Sequence, residues 1–242
     1  MTQDQLKFKQ ADSRYLNARR ELSTKYGPRE LWSVIDHWPL YAGISNIARA
    51  LAVYEILKEQ AAVPGDIAEF GSWRGANLMF MAKVMEILDP LSGKQIHCFE
   101  SFEGLTEFSP EDFSKEEMRN TYKGSLGELQ DLIGIYELQD TIRIHKGLIE
   151  DTLPKFDDDN PGTSFSLVYF DADLYKPAIA VLRGCHSKLV KGGVFVFDEW
   201  NHPKWPGEGT AVREFMAEFG DHYELEHVAR TRQPSLLIRK IK

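Results

Sequence analysis

Two pairs of acidic residues are candidates for a catalytic or cation-binding site. Asp171 and Asp173 follow one continuous apolar run, and Asp198 and Glu199 follow the next. Such runs are typical of strands buried on both faces of a parallel sheet, so we expect the four carboxylates to meet at one edge. They need a counter-charge, and oxygen ligands without cysteine or an obligatory histidine suit a hard cation: Mg²⁺, with Ca²⁺ or Mn²⁺ as substitutes. The alternative is that these acids cap helices or face water.

A turn bracketed by two glycines is a second candidate site. Gly71 and Gly75 stand between a short apolar run ending at Phe70 and a helical apolar pattern over residues 77–88. A glycine there can adopt a positive φ and lets the backbone approach a ligand, while the helix start offers unpaired N–H groups to an anion. The spacing differs from the G-x-G-x-x-G of dinucleotide enzymes, so the glycines alone leave an ordinary strand-to-helix turn as the alternative.

Two further acids indicate an adenosine-containing ligand at this turn. Glu69 stands before the first glycine, and Glu100 closes the next predicted strand, over residues 95–100. A carboxylate at the end of the second strand is placed to bind the ribose hydroxyls of an adenosyl group. We therefore predict a nucleotide-type cofactor loop.

Strand and helix patterns alternate along most of the chain. After a helix capped by Ser45, predicted strands alternate with helices for five rounds, and a hairpin over residues 223–228 and 235–241 ends the pattern. The helix that Pro177 opens carries an apolar stripe as far as Leu189. This order predicts an α/β fold with a mostly parallel sheet, an antiparallel C-terminal edge and a ligand crevice at the carboxyl ends of the strands.

Length and composition limit the class of protein. With 242 residues, 43% of them hydrophobic, the chain suits a single domain over residues 1–242. The formal net charge of -8, without a basic stripe, argues against a nucleic-acid partner. No apolar run approaches a membrane span or a signal core, so we expect no membrane partner and a cytoplasmic location. Cys98 and Cys185 lie in apolar patterns, which predicts buried thiols and no disulfide.

Two segments are predicted to flank the crevice. Residues 1–60 are expected to supply N-terminal helices that fold over the site as a lid. Residues 103–123 carry six acids and are predicted to form a mobile insertion whose charges face solvent, with a helix start at Ser109 before Pro110. His202 is the histidine nearest the acidic pairs, and it is a candidate for contact with the substrate or for the base.

Five motifs resemble those of a known family. Gly65–Gly75, Ser101–Leu105, Glu150–Pro154, Asp171–Tyr175 and Lys191–Asp198 are similar, in this order, to the motifs of the macrocin-type sugar O-methyltransferases of macrolide and aminocoumarin biosynthesis. The resemblance covers roughly residues 60–200. It implies the class I methyltransferase fold, a Rossmann-like doubly wound sheet with N-terminal helices. It also implies S-adenosylmethionine as cofactor, Mg²⁺ dependence and methylation of a hydroxyl on a deoxysugar-like or other glycosyl acceptor.

The family's functional positions can be carried over one by one. Its metal ligands match Asp171, Asp198 and Glu199, and its proposed general base matches Asp173. The chain departs from the family at Glu199 and at Glu100, where Asp is usual, and at the residue between the first two aspartates, where Gly is usual. The candidate catalytic residues are Asp173, Asp171 and His202. The candidate cofactor-binding residues are Glu69, Phe70, Gly71, Ser72, Arg74, Gly75, Glu100, Ser101, Phe102, Gly147 and Asp171.

Two rival functions stay open at this point. The acid at the end of the second strand also suits an NAD(P)-dependent Rossmann oxidoreductase, although the dinucleotide glycine pattern is absent. A non-catalytic S-adenosylmethionine-binding module would keep the cofactor loop without the chemistry. The sequence does not identify the acceptor. It also leaves the oligomeric state open, and a homo-oligomer is one alternative.

Overall fold

The computed structural model describes residues 13, 17, 20, 24, 25, 31–113 and 116–242. Its helices are α1 (Leu31–Asp36), α2 (Trp38–Tyr41), α3 (Ile44–Gln60), α4 (Ala76–Leu88), α5 (Leu126–Ile135), α6 (Ile149–Asp159), α7 (Tyr175–Cys185) and α8 (Pro206–Phe219). Its strands are β1 (Asp66–Phe70), β2 (Ile96–Glu100), β3 (Ile142–Lys146), β4 (Phe165–Phe170), β5 (Leu189–Phe197), β6 (Tyr223–His227) and β7 (Leu236–Lys240). Most of the predicted N-terminal extension before α1 lies outside the described residues.

The predicted mixed sheet is confirmed. The strand order is β3-β2-β1-β4-β5-β7-β6. The strands from β3 to β5 are parallel to their neighbours, while β7 runs antiparallel to both β5 and β6. The direction in which successive strands are added reverses between β1 and β4. In open α/β sheets, ligands bind past the carboxyl ends of the strands at such a reversal.

The central strands hold helices on both faces of the sheet. Leu167 and Tyr169 of β4 pack into one core with α3, α4 and α5. Val168 and Phe170 pack into the opposite core with α6, α7 and α8. Successive side chains of a strand point to opposite faces, so a strand buried on both sides is apolar throughout, as the run predicted. The strand ends that carry the acids are therefore fixed in a packed framework.

Some element boundaries differ from the predicted ones. Gly43, not Ser45, occupies the N-cap position of α3, and the Asn46 side chain accepts a 3.2 Å hydrogen bond from the backbone N–H of Gly43. Helix α7 ends at Cys185, and Leu189 already belongs to β5. A leucine four residues after the helix end continues a helical apolar stripe in sequence, but its backbone pairs with β4.

Both cysteines are buried and unpaired, as predicted. Across residues 31–113 and 116–242, no helix is both long enough and apolar enough to cross a membrane.

Candidate functional site

A cavity of about 550 Å³ opens at the carboxyl ends of the parallel strands. Its volume lies in the range of roughly 300–1,000 Å³ that small-molecule sites occupy. The predicted site residues that line it are Gly71, Glu100, Ser101, Gly147, Asp171, Asp173, Asp198, Glu199 and His202. The topology thus brings together residues from the ends of five strands.

Gly71 lies where β1 and β4 end side by side. Its φ is 87°, and a Cβ there would lie 2.4 Å from the carbonyl oxygen of Asp171. Real Cβ atoms do not approach backbone that closely, so only glycine lets the cofactor loop leave β1 next to the acid that ends β4.

Glu100 holds two loops at the cavity wall. Its Oε2 accepts a 2.8 Å hydrogen bond from the backbone N–H of Trp73, and its Oε1 accepts one of 2.8 Å from that of Phe102. A carboxylate has about four acceptor positions, so it can bind ribose hydroxyls as well as these two N–H groups. The predicted ribose contact therefore stays compatible with the geometry.

The remaining predicted cofactor residues do not line the cavity in this structure: Glu69, Phe70, Ser72, Arg74, Gly75 and Phe102. The Phe70 ring stacks on Phe99 with centroids 4.5 Å apart, and the exposed Arg74 guanidinium lies 3.7 Å from Glu128. Gly75 starts α4 with a φ of 79°. Their role in cofactor binding remains a prediction.

Glu69 supports the cofactor loop from behind. Its side chain is buried and accepts hydrogen bonds from Ser72 Oγ and, at 2.7 Å, from Asn77 Nδ2. Burial raises the pKa of this carboxyl group to about 7, although the two donors act in the opposite direction. Glu69 therefore links the loop to the first turn of α4.

An arginine from α3 joins the acids at the ends of β4 and β5. Arg49 Nη2 lies 2.8 Å from Asp171 Oδ2, and its Nη1 lies 3.0 Å from Asp198 Oδ2. The buried Tyr169 hydroxyl donates a 2.6 Å hydrogen bond to the other oxygen, Asp198 Oδ1. Neither Arg49 nor Tyr169 was predicted from the sequence as a site residue. Together they provide the counter-charge and the hydrogen bonds that the acids require.

Glu199 follows Asp198 in the sequence, but its side chain has other partners than Arg49. Its Oε1 accepts a hydrogen bond from Gln233 Nε2, and its Oε2 lies 3.6 Å from His202 Nδ1. His202 Nδ1 in turn accepts a 3.2 Å hydrogen bond from the backbone N–H of Lys204. Burial, followed by the charge of Asp198, raises the pKa of Glu199 to about 7.

Asp173 also lines the cavity. Its backbone has a φ of 63°, a left-handed conformation that is uncommon for a non-glycine residue and often marks a functional position. Burial first, and then the charges of Glu199 and Asp198, raise the pKa of Asp173 well above its usual value. Such a carboxylate is a stronger base than an exposed one.

Comparison with models of protein families assigns this chain to a family. The model for macrocin O-methyltransferase (TylF) matches residues 12–232. The chain belongs to the macrocin O-methyltransferase family. The resemblance found in the motifs is thereby confirmed, and it extends beyond residues 60–200.

Two O-methyltransferases of other organisms are similar to this chain over part of their length. The chain is 29% identical over 57% of its length to the 8-demethyl-8-(2,3-dimethoxy-alpha-L-rhamnosyl)-tetracenomycin-C 4'-O-methyltransferase of Streptomyces olivaceus. It is 25% identical over 66% of its length to the mycinamicin III 3''-O-methyltransferase of Micromonospora griseorubida. These matches span 54% and 62% of the two relatives' own lengths.

A solved structure agrees over nearly the whole chain. The crystal structure of CalS11, a calicheamicin methyltransferase, has a TM-score of 0.81 and 25% sequence identity, and the match covers 94% of this chain and 91% of that one. The fold is therefore that of the class I methyltransferases, as predicted.

The metal site that the family resemblance implied is not supported by this arrangement. Asp171 and Asp198 both bind the Arg49 guanidinium, and Glu199 accepts a hydrogen bond from the side-chain amide of Gln233. In the described part of the chain, no group of three or more His, Cys, Asp or Glu side chains is arranged to hold a metal ion. As they stand, the three predicted ligands do not fit Mg²⁺. Arg49 binds one oxygen of Asp171 and one of Asp198, and Tyr169 binds the other oxygen of Asp198. Gln233 binds one oxygen of Glu199.

The acidic insertion contains one buried acid that sequence reasoning placed in solvent. Asp112 is only 1% exposed. Its Oδ2 accepts hydrogen bonds from Ser109 N at 2.9 Å and from Ser109 Oγ at 2.8 Å, and its Oδ1 accepts one of 3.0 Å from the backbone N–H of Tyr175. Tyr175 begins α7 two residues after Asp173, so Asp112 fixes the insertion against the site.

Glu208 is a second buried acid that the sequence did not single out. It is fully buried, and its Oε1 accepts a 3.1 Å hydrogen bond from the backbone N–H of Glu199. No partner for its Oε2 occurs among the described residues. Burial and the neighbouring acids raise the pKa of Glu208 well above its usual value.

Proposed function

We propose that this protein transfers a methyl group from S-adenosylmethionine to a hydroxyl group of a glycosyl acceptor. The observation that carries the proposal is the match of residues 12–232 to the macrocin O-methyltransferase family. The names of both relatives describe O-methylation, one of them on a rhamnosyl tetracenomycin and the other on mycinamicin III. A deoxysugar-like or other glycosyl hydroxyl is the corresponding acceptor here.

The cavity suits S-adenosylmethionine at the ends of β1, β2 and β3. Gly71, Glu100, Ser101 and Gly147 line it there. The absence of a Cβ at Gly71 lets the loop pass directly against the backbone of Asp171 at the end of β4. When bound, S-adenosylmethionine supplies a methyl group that its positive sulfur has already activated. The protein then needs only to align the acceptor oxygen with that methyl group and to remove a proton.

Asp173 is the base in this proposal. Its carboxylate would take the proton of the acceptor hydroxyl, whose oxygen would receive the methyl group. S-adenosylmethionine would supply that group and keep the electron pair of the carbon–sulfur bond on its sulfur. The raised pKa of Asp173 suits it to hold that proton. His202 also lines the cavity and is the alternative base.

Aromatic side chains also line the cavity. Trp73 and Tyr122 meet edge to face with ring centroids 5.6 Å apart, and Trp205 also lines the cavity. Lys204 Nζ lies 4.8 Å from the Trp205 ring centroid. The apolar faces of sugar rings pack on aromatic rings, while their hydroxyl groups bind charged side chains at the edges. This lining supports a glycosyl acceptor.

Ligand binding separates the proposal from its rivals. Calorimetry with S-adenosylmethionine, S-adenosylhomocysteine and NADH should show binding of the first two only. Binding of NADH instead would support the oxidoreductase. Binding of S-adenosylmethionine without methyl transfer to any glycosylated small molecule or nucleotide sugar would support the non-catalytic module.

A further inference from the structure

Arg49 lies between Asp171 and Asp198, one acid from each of the two predicted pairs. It comes from the middle of α3, and this helix is anchored on the sheet by buried Val53 and Leu57. Its two terminal nitrogens contact the acid that ends β4 and the acid that ends β5, at 2.8 and 3.0 Å. A guanidinium is always charged and its fork matches two carboxylate oxygens, so this contact is fixed in both charge and direction.

The oxygens of Asp171 and Asp198 are arranged to bind a guanidinium group, and not to coordinate a metal ion. Both oxygens of Asp198 are used, one by Tyr169 and one by Arg49. The Asp198 side chain is fully buried, whereas those of Asp171 and Arg49 are 27% and 30% exposed and line the cavity. A divalent ion at this place would have to displace Arg49 and leave its charge without these partners.

The residue that departs from the family pattern agrees with this interpretation. Glu199 stands where the family commonly has Asp, and its longer side chain reaches Gln233 and His202 instead of the pair that Arg49 binds. The third predicted ligand is thus held by partners other than Arg49.

We propose that Arg49 is the resident cation of this site, that it takes the place of Mg²⁺, and that its remaining N–H groups bind the acceptor hydroxyl during methyl transfer. The part of this inference that concerns methyl transfer rests on the proposed function. Two of the five N–H donors of Arg49 bind Asp171 and Asp198, and the others remain for an oxygen in the cavity. A positive donor next to the acceptor hydroxyl stabilises the negative charge that develops on its oxygen as Asp173 removes the proton.

Metal binding tests this proposal without any knowledge of the acceptor. Mn²⁺ is titrated into the metal-free protein, and the signal of the free ion is followed by electron paramagnetic resonance. We expect no binding to the unaltered protein at millimolar Mn²⁺. Arg49→Ala frees the two carboxylates and should bind Mn²⁺, and the added change Asp171→Asn should abolish that binding. Binding of Mn²⁺ by the unaltered protein that Asp171→Asn removes would overturn the proposal.

A matched control keeps the comparison specific. Arg183 is an exposed arginine that pairs with Glu218 at 3.2 Å on the outer side of α7, so Arg183→Gln removes one guanidinium without touching the site. This variant should behave as the unaltered protein in the titration. If Arg49→Ala does not fold, Arg49→Gln provides the same loss of charge with less loss of volume.

Turnover tests the catalytic part once an acceptor is methylated. The unaltered enzyme should be insensitive to a chelator, and Arg49→Ala should be slower by about 10²- to 10³-fold, the usual effect of removing one donor to a developing oxyanion. Added guanidinium should partly restore Arg49→Ala. An enzyme that a chelator inactivates and Mg²⁺ restores would contradict the proposal. If no acceptor is methylated, the proposed function fails, while the Mn²⁺ titration still decides the place of Arg49.

Discussion

The hydroxyl of Tyr169, in the middle of the sheet, donates a 2.6 Å hydrogen bond to Asp198 Oδ1 at the end of the neighbouring strand. Both groups are buried, and Asp198 Oδ2 is bound by Arg49. The core of the fold therefore fixes the direction of an acid in the candidate site.

Tyr169→Phe should destabilise the protein by about 1–3 kcal/mol, because it leaves a buried carboxylate oxygen without its donor. Chemical denaturation measures this change. Tyr136→Phe is the control, since Tyr136 is half exposed. Equal stability of the two variants would show that Asp198 does not depend on Tyr169.

Glu100→Ala should weaken the binding of S-adenosylmethionine by roughly 10- to 150-fold, since a hydrogen bond to a charged group contributes about 1.5–3 kcal/mol. The substitution also releases the N–H groups of Trp73 and Phe102, which hold the loops that line the cavity. Calorimetry on the folded variant is the measurement, with the exposed Glu103→Ala as control. Unchanged affinity in Glu100→Ala would rule out its contact with the ribose.

Asp112→Asn should loosen the acidic insertion. The amide group keeps one acceptor oxygen, so a donor from Ser109 or Tyr175 loses its partner at a cost of about 1–3 kcal/mol. Trypsin should then cut faster after Arg119 and Lys123, and mass spectrometry of the fragments follows this. Glu111→Gln, at the neighbouring position, should leave cleavage unchanged. If Asp112→Asn is cleaved no faster, the insertion is held by other contacts.

Glu69→Gln should change how stability depends on pH. Folding raises the pKa of Glu69 from 4.5 to about 7, so the folded protein holds a proton that the unfolded chain releases between these values. The free energy of unfolding of the unaltered protein therefore falls as the pH rises through this window, by up to about 3 kcal/mol. The amide in Glu69→Gln does not titrate.

Denaturation at several pH values between 4 and 8.5 checks this prediction. Glu69→Gln should match the unaltered protein at the acid end and exceed it in stability above neutral pH. Glu86→Gln on the outside of α4 should show no such gain, because Glu86 is exposed. A constant difference at all pH values would mean that Glu69 does not titrate in this window.

The sequence predicted the parts of the site that lie at strand ends. Apolar runs locate the buried strands, and the residues after them, such as Glu100, Asp171 and Asp198, fall at one edge of a parallel sheet by topology alone. The mixed sheet and its antiparallel edge followed from the same periodicity.

Arg49 could not be predicted in this way. It is 122 positions from Asp171 in sequence, and an arginine on a helix before the first strand shows no pattern that distinguishes it from a solvent-exposed one. Only the packing of α3 on the sheet brings it to the acids. The position of Asp112 could have been predicted from a local pattern. Ser109 and Pro110 mark a helix start, and the side chain of the third helical residue, Asp112, accepts a hydrogen bond from the backbone N–H of the N-cap residue.

The most direct test of the central claim uses S-adenosylmethionine with a deuterated methyl group, offered with a panel of glycosylated small molecules and nucleotide sugars. Mass spectrometry should show one labelled methyl group on a sugar hydroxyl of at least one acceptor. Asp173→Asn should form the same product about 10²- to 10⁴-fold more slowly while binding S-adenosylmethionine with unchanged affinity. Label on a nitrogen or carbon atom, or an Asp173→Asn enzyme as fast as the unaltered one, would contradict this account.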